Sequence, residues 1–189
     1  VGLVIEAVPE QIDIKLALLN DLEQLAPQQA IIASNTSALS LTEMSAALSD
    51  PGRAVGMHFF NPVHKMKLVE IVRTSDTTSE TVQTIEEIGR RMGKETVVIR
   101  ESPGFVTSRI NATIGNEAFF MLQEGIASAR DIDKALKLGL NHPMGPFELV
   151  DLVGLDTRLS VLKFLHRTLG EKYRPCPLLE EYVQAGRLG

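Results

Sequence analysis

The sequence predicts an α/β fold in which a largely parallel sheet is followed by an all-helical domain. Up to residue 101, short apolar runs alternate with amphipathic helical patterns, as in parallel strands joined by crossover helices. From Ser102 onward the helical patterns continue and no strand-like run reappears. We therefore expect two domains, residues 1–101 and residues 102–189.

The first half contains strands that alternate with helices. Val1 to Ala7 is a continuous apolar run broken only by Glu6, which is typical of a parallel strand covered on both faces. The other predicted strands are residues 30–33, a run that ends at His58, residues 67–72 and residues 95–100. The predicted helices lie between Pro9 and Pro27, from Ser40 through Ala47, and from Ser79 to Met92. Right-handed crossovers make the first three strands parallel, while residues 67–72 form a hairpin-like return.

The second half reads as five helices separated by glycine and proline. They are predicted from Pro103 to Gly125, Ser128 to Gly139, Pro146 to Gly154, Leu155 to Leu169 and Pro177 to Ala185. The apolar faces of these helices expose more surface than a single layer of helices can bury. The residues concerned are Ile110, Ile114, Met121, Leu149 and Leu152. We therefore expect a homodimer that is joined through this half.

Composition excludes several classes of protein. A net charge of −5 is unsuited to a nucleic-acid surface, so no nucleic-acid partner is expected. No apolar run approaches the roughly 18 residues of a membrane-spanning helix, so no membrane partner is expected. The single Cys176 cannot form an internal disulfide, which suits a reducing compartment such as the cytoplasm. Without a cluster of cysteine and histidine, no metal site is predicted.

Polar residues follow each of the first three strands. These segments are Ala7 to Glu10, Ser34 to Ser37 and His58 to Asn61. Because the carboxyl ends of parallel strands meet at one edge of a sheet, the three segments converge there. The sequence thus predicts a binding site at this edge.

His58 and Glu70 are the candidate acid–base pair. The period-2 alternation of residues 67–72 places Glu70 on one face of the sheet, near the strand that ends at His58. A carboxylate behind an imidazole fixes its tautomer and makes it a stronger base. On these residues alone, a satisfied buried histidine beside Phe59 and Phe60 is the more common case.

Five motifs, in a fixed order along the chain, favour the catalytic interpretation of His58 over the structural one. They are SNTS at 34–37, HFFNP at 58–62, KLVEIV at 67–72, SPGFV at 102–106 and HPMGPFELVDLVGLD at 142–156. Together they resemble the 3-hydroxyacyl-CoA dehydrogenase family, including bacterial 3-hydroxybutyryl-CoA dehydrogenases, over essentially the whole chain. The resemblance implies a Rossmann-like, doubly wound NAD-binding domain with a helical substrate and dimerisation domain. It also implies NAD-dependent oxidation of the 3-hydroxyl of a (3S)-3-hydroxyacyl-CoA to the 3-oxoacyl-CoA, or the reverse, in β-oxidation or butyrate-type metabolism.

The resemblance also implies roles for individual residues. His58 corresponds to the catalytic base, and Glu70 to the residue that orients it. Ser37 and Asn61 would lie near the reacting alcohol and the nicotinamide. Glu10 and Lys15 would adjoin the cofactor. Ser108 stands where the family often has an asparagine that faces the substrate, and its side chain reaches less far.

Two other functions compete with this interpretation. One is a β-hydroxyacid dehydrogenase that uses a lysine, which the HFFNP motif and the carboxylate after it disfavour. The other is a crystallin-like relative without activity, which the retention of His58 and Glu70 disfavours. The Gly-rich G-x-G-x-x-G turn that would hold a pyrophosphate is missing, and the first strand resembles the fourth of a doubly wound fold. We therefore expect the chain to be a fragment.

Overall fold

The computed structural model describes residues 2–189, so Val1 of the predicted first strand lies outside the described residues. The chain forms two compact units, one ending at Phe105 and one beginning at Val106. This division falls a few residues after the boundary expected at Glu101. None of the helices within the described range is long and apolar enough to cross a membrane.

The first unit is built on a five-stranded sheet in the order β1-β2-β3-β4-β5. Its strands are β1 (Leu3–Glu6), β2 (Ile31–Ser34), β3 (Ala54–Phe59), β4 (Leu68–Arg73) and β5 (Glu95–Arg100). The pairs β1/β2, β2/β3 and β4/β5 are parallel, whereas β3 and β4 are antiparallel. The predicted α/β class and the hairpin-like return are therefore confirmed.

Helices cover both faces of the sheet. They are α1 (Ile12–Leu25), α2 (Leu41–Ser45) and α3 (Ser79–Arg91). On one face, Leu19 of α1 and Met44 of α2 pack in a core with Ile32 and Val72. On the other face, Ile85 of α3 packs in a second core, which includes Val55, Met57, Val69 and Ile71. Helices on both faces are the arrangement that buries a parallel sheet.

Gly56 lets α2 approach the sheet closely. A Cβ atom at this position would lie 2.7 Å from Cδ1 of Leu41 and 2.8 Å from Cβ of Val72. Those distances are shorter than any normal carbon contact, so only glycine fits between the two side chains. Gly56 thereby sets the depth at which the residues before His58 are packed.

The second unit consists of five helices around a core of its own. They are α4 (Thr107–Gln123), α5 (Ala129–Gly139), α6 (Pro146–Val153), α7 (Leu155–Leu169) and α8 (Pro177–Gln184). Their buried core includes Phe119 of α4, Val150 of α6, Leu162 of α7 and Leu179 of α8. The all-helical half is therefore confirmed.

Three details of the helix predictions are wrong. Helix α4 begins at Thr107 rather than Pro103, because Gly104 and Phe105 have φ angles of 73° and 50° and form a turn instead. Helix α2 ends at Ser45 rather than Ala47. Helix α3 ends at Arg91 rather than Met92, which follows it as the C-cap and is 47% exposed.

Candidate active site

The carboxyl ends of β1, β2 and β3 lie at one edge of the sheet, as the sequence predicts. Glu6 and Ser34, the last residues of β1 and β2, are register partners, and Ser34 pairs with Gly56 of β3. Strand β3 continues for three residues beyond Gly56, to Phe59. His58 is therefore inside the strand rather than in the loop, and it is paired with Glu70 of β4.

His58 and Glu70 face each other across the antiparallel pair of β3 and β4. They are direct register partners, and Nδ1 of His58 lies 2.7 Å from Oε2 of Glu70. A carboxylate can only accept, so Nδ1–H of the imidazole donates this hydrogen bond. The tautomer that results leaves Nε2 as the basic nitrogen.

The pair is shielded from water by aromatic rings. His58 is 5% exposed and Glu70 is 1% exposed. The ring centroid of His58 lies 4.6 Å from that of Phe60 and 5.5 Å from that of Phe105, both tilted. Rings on the imidazole restrict its rotation, so Nε2 keeps one direction. A fixed, partly desolvated basic nitrogen is what general-base catalysis requires.

The SNTS turn after β2 is tied to the strand that carries His58. Oδ1 of Asn35 accepts a hydrogen bond of 2.9 Å from the backbone N–H of Phe59. Thr36 is completely buried, and its Oγ1 accepts from the backbone N–H of Leu39 at 2.9 Å. The next residue, Ser37, is exposed. The turn therefore presents the Ser37 hydroxyl at the edge of the sheet while its neighbours are held in place.

Glu10 closes this turn from the other side. Its Oε1 accepts from Oγ1 of Thr36 at 2.6 Å, and from the backbone N–H groups of Ser37 and Ala38 at 2.9 and 3.1 Å. The side chain of Glu10 is still 41% exposed. One carboxylate oxygen thus organises the turn, while the second has capacity to accept from a ligand.

Lys15 lies deeper than a ligand-facing lysine would. The side chain is completely buried, and its Nζ donates to both carboxylate oxygens of Glu6 at 2.8 Å and to the carbonyl oxygen of Val8 at 3.2 Å. Oε2 of Glu10 lies 3.6 Å from the same Nζ. These contacts link Lys15 to the edge of the sheet through Glu6 and Glu10.

The remaining predicted site residues lie apart from this network. Asn61 is exposed, two residues after the end of β3. Ser108 is half-buried in the first turn of α4, within the second unit. The structure therefore brings Glu10, Ser37, His58 and Glu70 to one edge of the first unit, together with Asn61 in the adjacent loop.

Sequence reasoning missed Glu6 as a functional candidate, and it included Ser34, Asn35 and Thr36 only as parts of the polar segment 34–37, without a role for each. Glu6 is 3% exposed, and both the Lys15 ammonium and the Ser34 hydroxyl donate to its carboxylate. Glu6 could have been found as the single acidic residue in an otherwise apolar strand. A carboxylate that is buried in this way needs a hydrogen-bonding or charged partner. The spacing of nine residues to Lys15 gave no indication of which partner that is.

The thiol and the acidic groups elsewhere offer no competing centre. Cys176 is completely buried, and burial raises the pKa of its thiol, which keeps it protonated and unreactive. Among residues 2–189, no group of three His, Cys, Asp or Glu side chains is arranged to hold a metal ion.

Family comparison assigns both halves of the chain. Residues 1–102 match the NAD binding domain of 3-hydroxyacyl-CoA dehydrogenase, and residues 104–189 match the C-terminal domain of the same enzyme. The chain belongs to the 3-hydroxyacyl-CoA dehydrogenase family. The resemblance in the five motifs is therefore confirmed, as is an NAD-binding domain in the first half.

Individual relatives agree with the family assignment. The chain is 47% identical over 188 residues to a probable 3-hydroxybutyryl-CoA dehydrogenase of Bacillus subtilis, covering 99% of this chain and 66% of the relative. It is 39% identical over 189 residues to the human mitochondrial hydroxyacyl-coenzyme A dehydrogenase, covering 99% of this chain and 60% of that protein. The chain thus spans about two thirds of the length of the curated bacterial relatives that it matches.

Solved structures share the fold. The (S)-3-hydroxybutyryl-CoA dehydrogenase of Ralstonia eutropha superposes with a TM-score of 0.97 at 44% identity, over 100% of this chain and 67% of that chain. The 3-hydroxybutyryl-CoA dehydrogenase of Escherichia coli gives a TM-score of 0.95 at 37% identity, over 100% of this chain and 40% of that chain.

Proposed function

We propose that this protein works as an NAD-dependent 3-hydroxyacyl-CoA dehydrogenase, which interconverts a (3S)-3-hydroxyacyl-CoA and the 3-oxoacyl-CoA. The observation that carries the proposal is the buried hydrogen bond of 2.7 Å between His58 and Glu70 at the ligand-binding edge of the sheet. Such a pair supplies an oriented base at a position where open α/β sheets bind their ligands.

His58 acts on the hydroxyl group of the substrate. Nε2 removes the hydroxyl proton while the C–H bond at C3 breaks and its electron pair leaves as hydride, so that a ketone forms. The imidazole becomes an imidazolium, and the Glu70 carboxylate, 1% exposed, stabilises that new positive charge. In the reverse direction the imidazolium returns its proton to the oxygen.

The polar groups at the edge fit a dinucleotide. Glu10 has a carboxylate oxygen with remaining acceptor capacity, and Ser37 has an exposed hydroxyl, so both can bind the hydroxyl or amide groups of NAD. NAD, when bound, supplies the hydride acceptor of the reaction. Lys15 supports the cofactor site from a buried position, since its ammonium lies 3.6 Å from the Glu10 carboxylate and offsets part of the negative charge of Glu10.

The substrate is a short acyl-CoA thioester in this proposal. Three of the proteins described above carry names with 3-hydroxybutyryl-CoA, which supports a four-carbon acyl chain in fatty-acid or butyrate-type metabolism. Asn61 would bind near the reacting oxygen, and Ser108 would contact the substrate from the helical unit with a shorter side chain than asparagine.

The protein is further proposed to be a cytoplasmic homodimer. Ile110 and Leu152, both on the expected dimer face, are 57% and 72% exposed. Exposed apolar side chains of this size favour an interface between subunits. The single cysteine, Cys176, is free and buried, which suits a reducing compartment.

A turnover assay of the full-length protein tests the proposal. With NAD and (3S)-3-hydroxybutyryl-CoA, NADH should appear. The (3R) enantiomer should be a far poorer substrate, because a base fixed at the hydroxyl and a hydride acceptor fixed at C3 can both be reached by only one enantiomer. NAD binding without turnover of any 3-hydroxyacyl-CoA would favour a non-enzymatic relative of the crystallin type instead.

A further inference from the structure

Glu6 is a buried acid for which the proposed reaction provides no role. It ends β1, is 3% exposed, and accepts from both the Lys15 ammonium and the backbone N–H of Val8, the latter at 3.1 Å. The hydroxyl of Ser34 also donates to it. A buried carboxylate with this many donors is fixed in position, and it fixes each of its donors in turn.

One route runs from Glu6 through Lys15 to the SNTS turn. Glu6 holds the ammonium 3.6 Å from Oε2 of Glu10, whose other oxygen accepts from the backbone N–H groups of Ser37 and Ala38. The ammonium lies between two carboxylates that would otherwise repel each other. Lys15 therefore helps to hold Glu10 over the turn, in addition to the hydrogen bonds that Glu10 accepts from the turn itself.

A second route runs through Ser34. Its Oγ donates to Glu6 and accepts from the backbone N–H of Thr36 at 3.2 Å. Thr36 is also the residue whose hydroxyl donates to Glu10 at 2.6 Å. Both routes start at the Glu6 carboxylate: the first reaches Ser37 and Ala38, the second reaches Thr36, and the hydrogen bond from Thr36 to Glu10 joins them.

We propose that Glu6 is a positioning residue that sets the conformation of residues 34–38 and thereby the placement of the Ser37 hydroxyl. This inference rests on the proposed function, because the placement of Ser37 matters for catalysis only if Ser37 binds cofactor and substrate. A role in stability alone is the weaker explanation, since a buried ion pair contributes little more than an apolar replacement of similar volume. The two routes from Glu6 to the turn that carries the exposed Ser37 favour a positioning role for the Glu6–Lys15 pair.

The test is Glu6→Gln in the full-length protein, with two readouts. The amides of Ser37 and Ala38 should exchange with solvent about tenfold faster or more, while those of α3 remain as in the wild type. The KM for NAD should rise about tenfold, with kcat changed by less than about threefold, because His58 and Glu70 stay in place.

Two further variants make the outcome unambiguous. Glu23→Gln is the control. It breaks the ion pair between Glu23 and Arg53, whose side chains are 23% and 5% exposed, near the opposite ends of the strands. Both readouts should be unchanged in this variant. The double variant Glu6→Gln/Lys15→Met removes both charges, so it should fold even if the single variant does not, and it should still show fast exchange at Ser37 and Ala38.

The inference is overturned if a folded Glu6→Gln or double variant keeps wild-type exchange at Ser37 and Ala38 and a wild-type KM for NAD. It is also overturned if exchange accelerates evenly through the first unit, since that shows a purely structural role. Absence of turnover in the wild type would defeat the proposed function alone, because the exchange comparison does not depend on activity.

Discussion

At the scale of single residues, the proposed chemistry depends on the pairing of β4 with β3. Glu70 lies directly opposite His58 in the antiparallel register, so no loop intervenes between the proposed base and the carboxylate proposed to orient it. In the proposed reaction, the carboxylate fixes the tautomer through Nδ1 and stabilises the imidazolium that forms. These tasks can be separated by changing the charge without the shape.

Glu70→Gln should lower kcat by about 10- to 100-fold, a smaller loss than removal of the base itself. The amide oxygen of glutamine can still accept from Nδ1–H, but it carries no charge to stabilise the imidazolium. The measurement is kcat for NADH formation by the full-length protein. Glu171→Gln is the matched control, because Glu171 partners the half-exposed His166 at 3.1 Å. Equal rates for Glu70→Gln and wild type would show that the charge has no part in the reaction.

At the scale of elements, α6 is held by a side chain of another helix. Asp133 of α5 is 6% exposed and accepts from the backbone N–H groups of Phe147 and Glu148, at 2.8 and 3.0 Å. It does so across Gly145, where a Cβ atom would lie 2.2 Å from Cγ of Asp133. The glycine of the HPMGP segment is therefore required for this cap.

Gly145→Ala should lower the free energy of unfolding by about 1–3 kcal/mol through overpacking, plus about 1 kcal/mol for the displaced cap. Gly139→Ala is the control, since nothing lies within 4 Å of its added Cβ and its φ is not positive. That control should be neutral or stabilising by up to about 1 kcal/mol. Denaturant unfolding measures both, and an equal effect of the two substitutions would contradict the packing explanation.

The contact of α1 with the start of β3 gives a pH-dependent stability. Hydrogen bonds from the Ser49 side chain and backbone, and the charge of Arg53, lower the pKa of Glu23. A lowered folded pKa means that the stabilisation is complete above the unfolded pKa of about 4.3 and is lost as pH falls further.

Glu23→Gln should therefore be less stable than wild type at pH 7, and the difference should shrink as the pH is lowered through about 4. Urea unfolding at a series of pH values provides the measurement. Ser49→Ala removes the largest cause of the shift and should reduce the same pH dependence in part. A difference between Glu23→Gln and wild type that stays constant down to about pH 3 would exclude a lowered pKa at Glu23.

The elements also show what could be predicted from the sequence. Period-2 alternation placed Glu70 on a sheet face, and the alternation of strands with helices placed the ends of β1, β2 and β3 at one edge, because both can be read from local periodicity. The start of α4 was missed, since Pro103 and Gly104 are equally compatible with a turn and a helix start. The contact of Glu6 with Lys15 was missed because tertiary packing alone selects which buried charges pair.

At the scale of the whole molecule, each unit has its own buried core. The face of α4 that is buried includes Ala112, Gly115 and Phe119, so Ile110 is left 57% exposed. Ala112 and Gly115 on the buried face let α4 pack closely against the other helices of its unit, while the larger Ile110 lies outside that face. This offset leaves apolar surface on the second unit.

The full-length protein should sediment as a dimer at micromolar concentration. Ile110→Asp/Leu152→Asp should shift it toward monomer, because charges in an apolar interface lose their hydration. Leu25→Asp changes a side chain that is 82% exposed on the first unit and should leave the dimer intact. A wild-type monomer, or equal behaviour of the two variants, would contradict a dimer through the helical unit.

The central claim, that His58 is the base, is tested most directly by His58→Gln in the full-length protein. With (3S)-3-hydroxybutyryl-CoA, kcat should fall by about 10²- to 10⁴-fold, while the Kd for NAD should change little because Ser37 and Glu10 are untouched. His166→Gln, which removes the other histidine paired with a glutamate, should match wild type. A kcat for His58→Gln within a few-fold of wild type would contradict the account.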